Sequence, residues 1–260
     1  MNSLKKLFVF SLCFSTFGQT LAAPPAKIKA DSTEWGVKAS PAMDLELIKK
    51  NAIAKVRAAA SRAQSSNNLK QIALAFHNYE SAYGQFPSNV LDKAGKPILS
   101  WRVQILPYIE QENLWRQFKM DEPWDSKHNL AVVEKYGMPK VYANPRVKVK
   151  ENYTTYLMLD GKGTLGESAV GKKMFRDITD GLSNTLLTVE SSRGAFWTQP
   201  QDIPIDFEKD VIDISEVFGD QVLVGFADGA VRALNWKNLS QTTKKALLTK
   251  NGGEVFQLKD

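Results

Sequence analysis

Apolar residues at Leu69, Ile72, Phe76, Tyr79 and Tyr83 recur at steps of three and four, the spacing of one helix face. Upstream, Leu45, Ile48, Ala52, Val56, Ala59 and Ala63 keep the same period with smaller side chains. The pattern predicts a long helix over residues 41–87. Ser40 suits the N-cap, Pro41 the first helical position, and Asp44 and Glu46 the positive end of the dipole. Gly84 and Pro87 stop it. Ser65, Ser66, Asn67 and Asn68 are weak helix formers in its middle and predict a kink. Such a helix needs an apolar partner for its second half.

Residues 88–140 read as a helical insertion, after a loop from Asp92 to Pro97. Ser100 caps a helix over Trp101–Leu106 that ends at Pro107. A second helix is predicted over Ile109–Phe118, and a third over Lys127–Tyr136, capped by Asp125 or Ser126 and closed by Gly137. The pattern changes to strands in residues 141–260: Val141–Ala143, Thr154–Leu159, Leu186–Val189, and a hairpin of Val222–Phe226 with Val231–Leu234. Asp228-Gly229 predicts a tight turn with both central residues at positive φ. Ser240–Leu248 is a final amphipathic helix, and Val255-Phe256 a returning edge strand. A long helix, a helical insertion and then an antiparallel sheet give an α+β fold.

The amino terminus alters the picture more than the composition does. Lys5 and Lys6 precede the apolar run Leu7–Phe17, and Ala22 and Ala23 follow, the pattern of a signal peptide over residues 1–23. The expected location is periplasmic or secreted, with no stable transmembrane segment after cleavage near Ala22. Residues 24–40, with Pro24, Pro25, Ser32 and Gly36, read as a flexible tether. Cys13 is the single cysteine, so the mature chain has no disulfide. Two of the formal +6 charges leave with Lys5 and Lys6. The remaining excess is spread out, and its densest cluster, Arg146, Lys148 and Lys150, lacks interleaved aromatics; nucleic acid is not an expected partner.

Several motifs carry a family resemblance. Lys55–Pro87, Ser100–Asn129, ITDGLSNTLLTVE (178–190), WTQPQDIPID (197–206), FADGAVRAL (226–234) and LLTKNGGEV (247–255) follow one another in order. Together they resemble the bacterial family labelled domain of unknown function fifteen-fifty-nine, whose members usually begin with a prepilin leader. The resemblance implies a pilin-like fold, the long helix lying on the sheet, and no particular activity. Two departures stand out. No prepilin leader and no long apolar helix occupy residues 1–40, so the leader is replaced by an ordinary signal peptide. Many members also carry a histidine ten residues before the Asp-Gly of the last hairpin, where this chain has Phe218.

No HExxH, no closely spaced His/Cys set, no G-x-S-x-G and no phosphate-cradling glycine loop is present. His77 reads as a boundary histidine and His128 as part of a helix start. Asp121, Glu122 and Asp125 flank Trp124, with Trp101 and Trp115 nearby in sequence. Acids beside aromatics suit a saccharide or peptide cleft, against the plainer reading of a buried tryptophan between a turn and a cap. Asp177, Asp180 and Asp228 stand in loops of the sheet region and are the candidate calcium ligands, against ordinary turn roles. No other cofactor is implied. The expected function is therefore non-catalytic: a structural or interaction module of the cell envelope, touching an envelope protein or saccharide. The alternative is an extracytoplasmic sugar- or peptide-binding protein.

Overall fold

A computed structural model describes residues 45–167, 173–207 and 221–253. The signal peptide, the tether, Phe218 and the strand expected at 255–256 lie outside these residues. The compact unit is Lys49–Asp260, and the fold below belongs to it.

The long helix, α1, spans Leu45–Tyr83, and Gly84 follows at φ +64°. It runs as one continuous helix through Ser65–Asn68, so these weak helix formers do not interrupt it. The reason is tertiary. Ser65 and Asn68 are buried and hydrogen-bonded across to the sheet, so neither side chain competes for the helix backbone. Leu69, Ile72, Ala73, Phe76 and Tyr79 form the expected buried face, whereas Tyr83 is exposed.

After α1 come β1 (Val90–Leu91) and β2 (Pro97–Leu99), an antiparallel pair in place of the loop read from the sequence. The turn between them is held by Asp92, whose Oδ1 accepts from the N–H of Ala94 and Lys96. The short helix α2 (Trp101–Gln104) is capped by Ser100 as expected. Pro107 does not end it; Leu106–Ile109 continue as a 3₁₀ turn. The helix expected over Ile109–Phe118 shrinks to one turn, α3 (Glu112–Trp115), because Glu110 turns left-handed at φ 62°. Helix α4 (Lys127–Tyr136) has the predicted bounds, with Ser126 as its cap and Gly137 beyond its end. Val141–Ala143 is not a strand: Lys140–Tyr142 form a 3₁₀ turn that buries Val141 and Tyr142.

The main sheet comprises β3 (Tyr153–Leu157), β5 (Leu186–Phe196), β7 (Val222–Phe226) and β8 (Val231–Leu234), in the order β3-β5-β7-β8 and antiparallel throughout. A separate parallel pair joins β4 (Leu159–Asp160) to β6 (Ile203–Pro204). The β7–β8 turn has only Gly229 at positive φ; Asp228 instead accepts from the Ala230 N–H, so the hairpin is wider than the two-residue turn expected.

Alternation along the strands divides the interior in two. Tyr156, Met158, Leu187 and Leu223 pack with the buried stripe of α1 and the insertion. Leu157, Val189, Val222, Val224 and Phe226 join Leu247 and Leu248 of α5 (Gln241–Leu248, capped by Ser240). Gly225 makes room for a side chain of the neighbouring strand: a Cβ there would stand 2.8 Å from Thr188 Oγ1 of β5. The protein is thus α+β, one long amino-terminal helix laid on an antiparallel sheet.

Candidate binding site

Two charged clusters sit inside the fold, and the one around Arg102 and Asp202 borders a cavity that Lys173 also lines. Ser100, Trp101 and Arg102 start α2 beneath β3, and Asp202 lies just before β6. The Arg102 guanidinium is fully buried. Its Nη2 donates to Asp202 Oδ1 at 2.7 Å and to the Tyr156 carbonyl at 2.9 Å, and its Nη1 donates to Ser100 Oγ at 2.8 Å. Asp202 Oδ1 also accepts from the Met158 N–H, and Oδ2 accepts from Trp101 Nε1 at 3.0 Å. This saturates most of a buried pair, the condition under which such a pair is tolerated. The Trp101 ring faces the guanidinium at 4.3 Å on one side and meets Phe76 edge-on.

A cavity of about 210 Å³ opens beside this pair. Phe86, Leu165 and Trp101 supply apolar wall; Asn89, Glu167, Lys173 and Asp202 supply polar groups. Asn89 Oδ1 accepts the Trp101 N–H. Glu167 Oε2 accepts the Gly163 N–H at 3.0 Å and lies 3.9 Å from Lys250 Nζ. Lys173 is 8% exposed, and its Nζ donates to the carbonyls of Leu165 and Glu167. Burial, and then the Lys250 ammonium, push the Lys173 amine down to about 8 against the pull of Glu167 and Asp160.

The second cluster lies where α1 meets β5, and one of its members, Asn144, lines a separate, more open groove. Glu190 of β5 is fully buried. It accepts from Ser65 Oγ of α1, from Asn144 Nδ2 at 3.3 Å and from Arg146 Nη1 at 2.5 Å. Tyr156 Oη meets Ser65 Oγ at 2.9 Å, and Asn68 Nδ2 donates to the Ala143 carbonyl. Burial raises the Glu190 carboxyl above the usual carboxylate range, outweighing Ser65 and Arg146. Arg146, the only cation in the cluster, is itself partly solvated, which weakens its pull. The cluster fastens α1 to the sheet.

The three tryptophans do not share a cleft. Trp101 is 1% exposed and belongs to the core. Trp115 is half-buried in a separate groove with Tyr79, Tyr83 and Pro107. Trp124 packs against Phe196, with ring centroids 5.4 Å apart. The aromatic cleft expected from the sequence is therefore corrected: closeness along the chain did not become closeness in space. The neighbouring acids are turn residues. Asp121 and Asp125 are exposed, and Glu122 is paired with Lys119 at 2.8 Å, which lowers its carboxyl below the ordinary range. Asn129 ties the turn together, its Nδ2 donating to the carbonyls of Lys119, Glu122 and Pro123.

The candidate calcium ligands are likewise dispersed, and no cluster of three metal-binding side chains occurs among the described residues. Asp177 Oδ2 accepts the Met174 N–H. Asp180 accepts the N–H groups of Gly252 and Gly253 at 2.7 and 2.9 Å. Asp228 holds its own hairpin turn. Each carboxylate is committed to backbone donors, so this trio is not a calcium site. His77 is a boundary residue as expected, its Nε2 donating to the Ala227 carbonyl and its ring stacked on Phe175. His128 donates to the Gln117 carbonyl, bridging two elements where a role at the helix start was expected.

Arg102, Asp202 and Lys173 were not singled out from the sequence. A signal was present: each of Arg102, Glu190 and Asp202 lies inside one of the quoted motifs, and in the fold those motifs meet one another through these charges.

Comparison with known proteins matches residues 54–140 to the model of a family described as a protein of unknown function, DUF1559. The chain resembles that family over this stretch, which begins within α1 and ends after α4. No curated protein and no solved structure matches the chain.

Proposed function

We propose that the protein is an exported, non-catalytic interaction module of the cell envelope, with a pilin-like body and the amino-terminal half of α1 as its contact element. The observation that carries this reading is the exposure of that half. Residues 47–60 are exposed at every position, including Leu47, Ile48, Ile53 and Val56. A free helix of this length is marginal in water; here it is propagated from the buried half. The signal-peptide pattern and the family resemblance support export and the pilin-like body.

In a pilin fibre the corresponding half-helices bury one another. Here that stretch carries Lys49, Lys50, Lys55 and Arg57, and burying such charges without partners costs several kcal/mol each. No helix of the described residues is long and apolar enough to cross a membrane. The mature domain is accordingly released after cleavage and does not polymerise. Fractionation of cells expressing the full chain, with light scattering on the mature form, tests this. Recovery only in the membrane pellet with an intact amino terminus, or growth of helical filaments, would overturn it.

A second reading, an extracytoplasmic binding protein, is favoured by one observation: a cavity with a buried ammonium in its wall, beside Trp101.

A further inference from the structure

We propose that the cavity beside Trp101 is a binding site for a small free amino acid with an apolar side chain, its carboxylate received by Lys173 and its ammonium by Asp202 and Glu167. The inference rests on the binding-protein reading and names its ligand class.

The argument starts from Lys173. A lysine this deeply buried is ordinarily paired with an acid. Lys173 is not: its partners are two backbone carbonyls, and no carboxylate among the described residues reaches ion-pair distance. An ammonium has three N–H donors, and the described residues use two of them, leaving one for an acceptor arriving in the cavity. An organic carboxylate supplies that acceptor and the missing counter-charge, giving a charge-assisted bond in a poorly solvated place.

The same cavity lining also holds the complementary chemistry. Asp202 is itself nearly buried, and its Oδ2 accepts a single hydrogen bond, from Trp101, so lone-pair capacity remains. Glu167 Oε2 is engaged by Gly163 and Lys250, while Oε1 has no partner among the described residues. A purely cationic ligand would meet Lys173, and a purely anionic one would leave unused the acceptor capacity of Asp202 Oδ2 and Glu167 Oε1, whose partner oxygens face Arg102 and Lys250. A zwitterion uses both kinds of group. Phe86, Leu165 and the Trp101 edge leave an apolar wall for the side chain, and a volume of about 210 Å³ suits a single residue rather than an extended peptide.

Isothermal titration of the full secreted protein tests this with leucine and phenylalanine as probes. Leucinamide lacks the carboxylate, 4-methylpentanoate lacks the ammonium, and trileucine and glucose represent the other ligand classes. Leucine or phenylalanine should bind, and each single-charge analogue about tenfold more weakly or worse, a loss of about 1.4 kcal/mol. Lys173→Met should abolish the signal. Ser88→Phe, at an exposed position on the cavity wall, should block entry without touching the core, and so keeps the test valid if Lys173→Met misfolds. Amino-acid binding unchanged by Ser88→Phe would place the site elsewhere and overturn the proposal. Binding of glucose or trileucine alone, lost in Ser88→Phe, would overturn the ligand class while keeping a binding protein. No heat from any probe at millimolar concentration would overturn both.

Discussion

The two halves of α1 belong to one uninterrupted helix yet live in different solvents. From residue 47 to residue 64 no side chain is buried, and apolar residues such as Val56 (68% exposed) face water. From Ser65 onward the same helix has a fully buried stripe of Leu69, Ile72, Ala73 and Phe76. Hydrophobic periodicity runs through both halves, so periodicity does not separate them. The polar residues at the junction do: Ser65 and Asn68 mark where the helix meets the sheet. Amphipathic spacing thus reports helix formation, whereas burial depends on a partner surface distant in sequence.

The sharpest way to break the contrast is Phe76→Ala, which should cost about 3–5 kcal/mol at a fully buried site and lower the melting temperature by about 2–4 °C per kcal/mol. An unchanged transition would mean that the buried half is not held as described. Arg102→Met belongs to the same upper range, because it leaves Asp202 buried and uncompensated, at about 3–5 kcal/mol; denaturant titration reads it as a shifted midpoint with the slope retained. Ser65→Ala strips one donor from Glu190 at the junction and should cost about 1–3 kcal/mol, against no measurable change for an alanine at exposed Gln64.

The same junction predicts a pH dependence. The folded-state pKa of Glu190 is raised, by burial first, so the folded protein takes up this proton at higher pH than the unfolded chain. Its stabilising contribution is fully present below the unfolded carboxylate pKa of about 4.3 and is lost as pH rises through the folded value. Comparing melting curves of the wild type and Glu190→Gln across that window should show the wild-type slope flattened in the variant; parallel curves would contradict a raised pKa. The smallest effect is expected in the exposed half, where Val56→Ala should stay within about 0.5 kcal/mol. A larger destabilisation would show that the half is packed after all.

What could be read beforehand follows the range of the physics involved. Caps and stops act within a few residues, and Ser100, Ser126 and Gly137 were legible as such. The β7–β8 hairpin was legible because its turn is local. The continuity of the helix through Ser65–Asn68 was not legible because propensity is a local quantity, while the groups that satisfy Ser65 and Asn68 stand 75 to 125 positions away. Val141 and Tyr142 read as strand because β-rich composition and a buried 3₁₀ turn draw on the same residue types. The candidate site was less legible still. Trp101 carries an aromatic signal and belongs to the core, whereas Lys173 matters because it is buried on two backbone carbonyls with no carboxylate of the described residues at ion-pair distance, a property no local pattern encodes.

The junction between α1 and the sheet also bears on how the chain reaches this state. Ser65 and Glu190 are 125 positions apart, so the contact that shelters the buried carboxylate closes a very long loop. Loop-closure entropy must be overcome before that contact contributes anything, and sheets assembled from distant strands form slowly. Helical turns in α1 can form within microseconds, but Glu190 has no Ser65 until β5 is laid beneath the helix. The helix is the early element and the carboxylate clasp the late one, so refolding should be paced by the arrival of β5, with α1 waiting as a preformed but undocked rod.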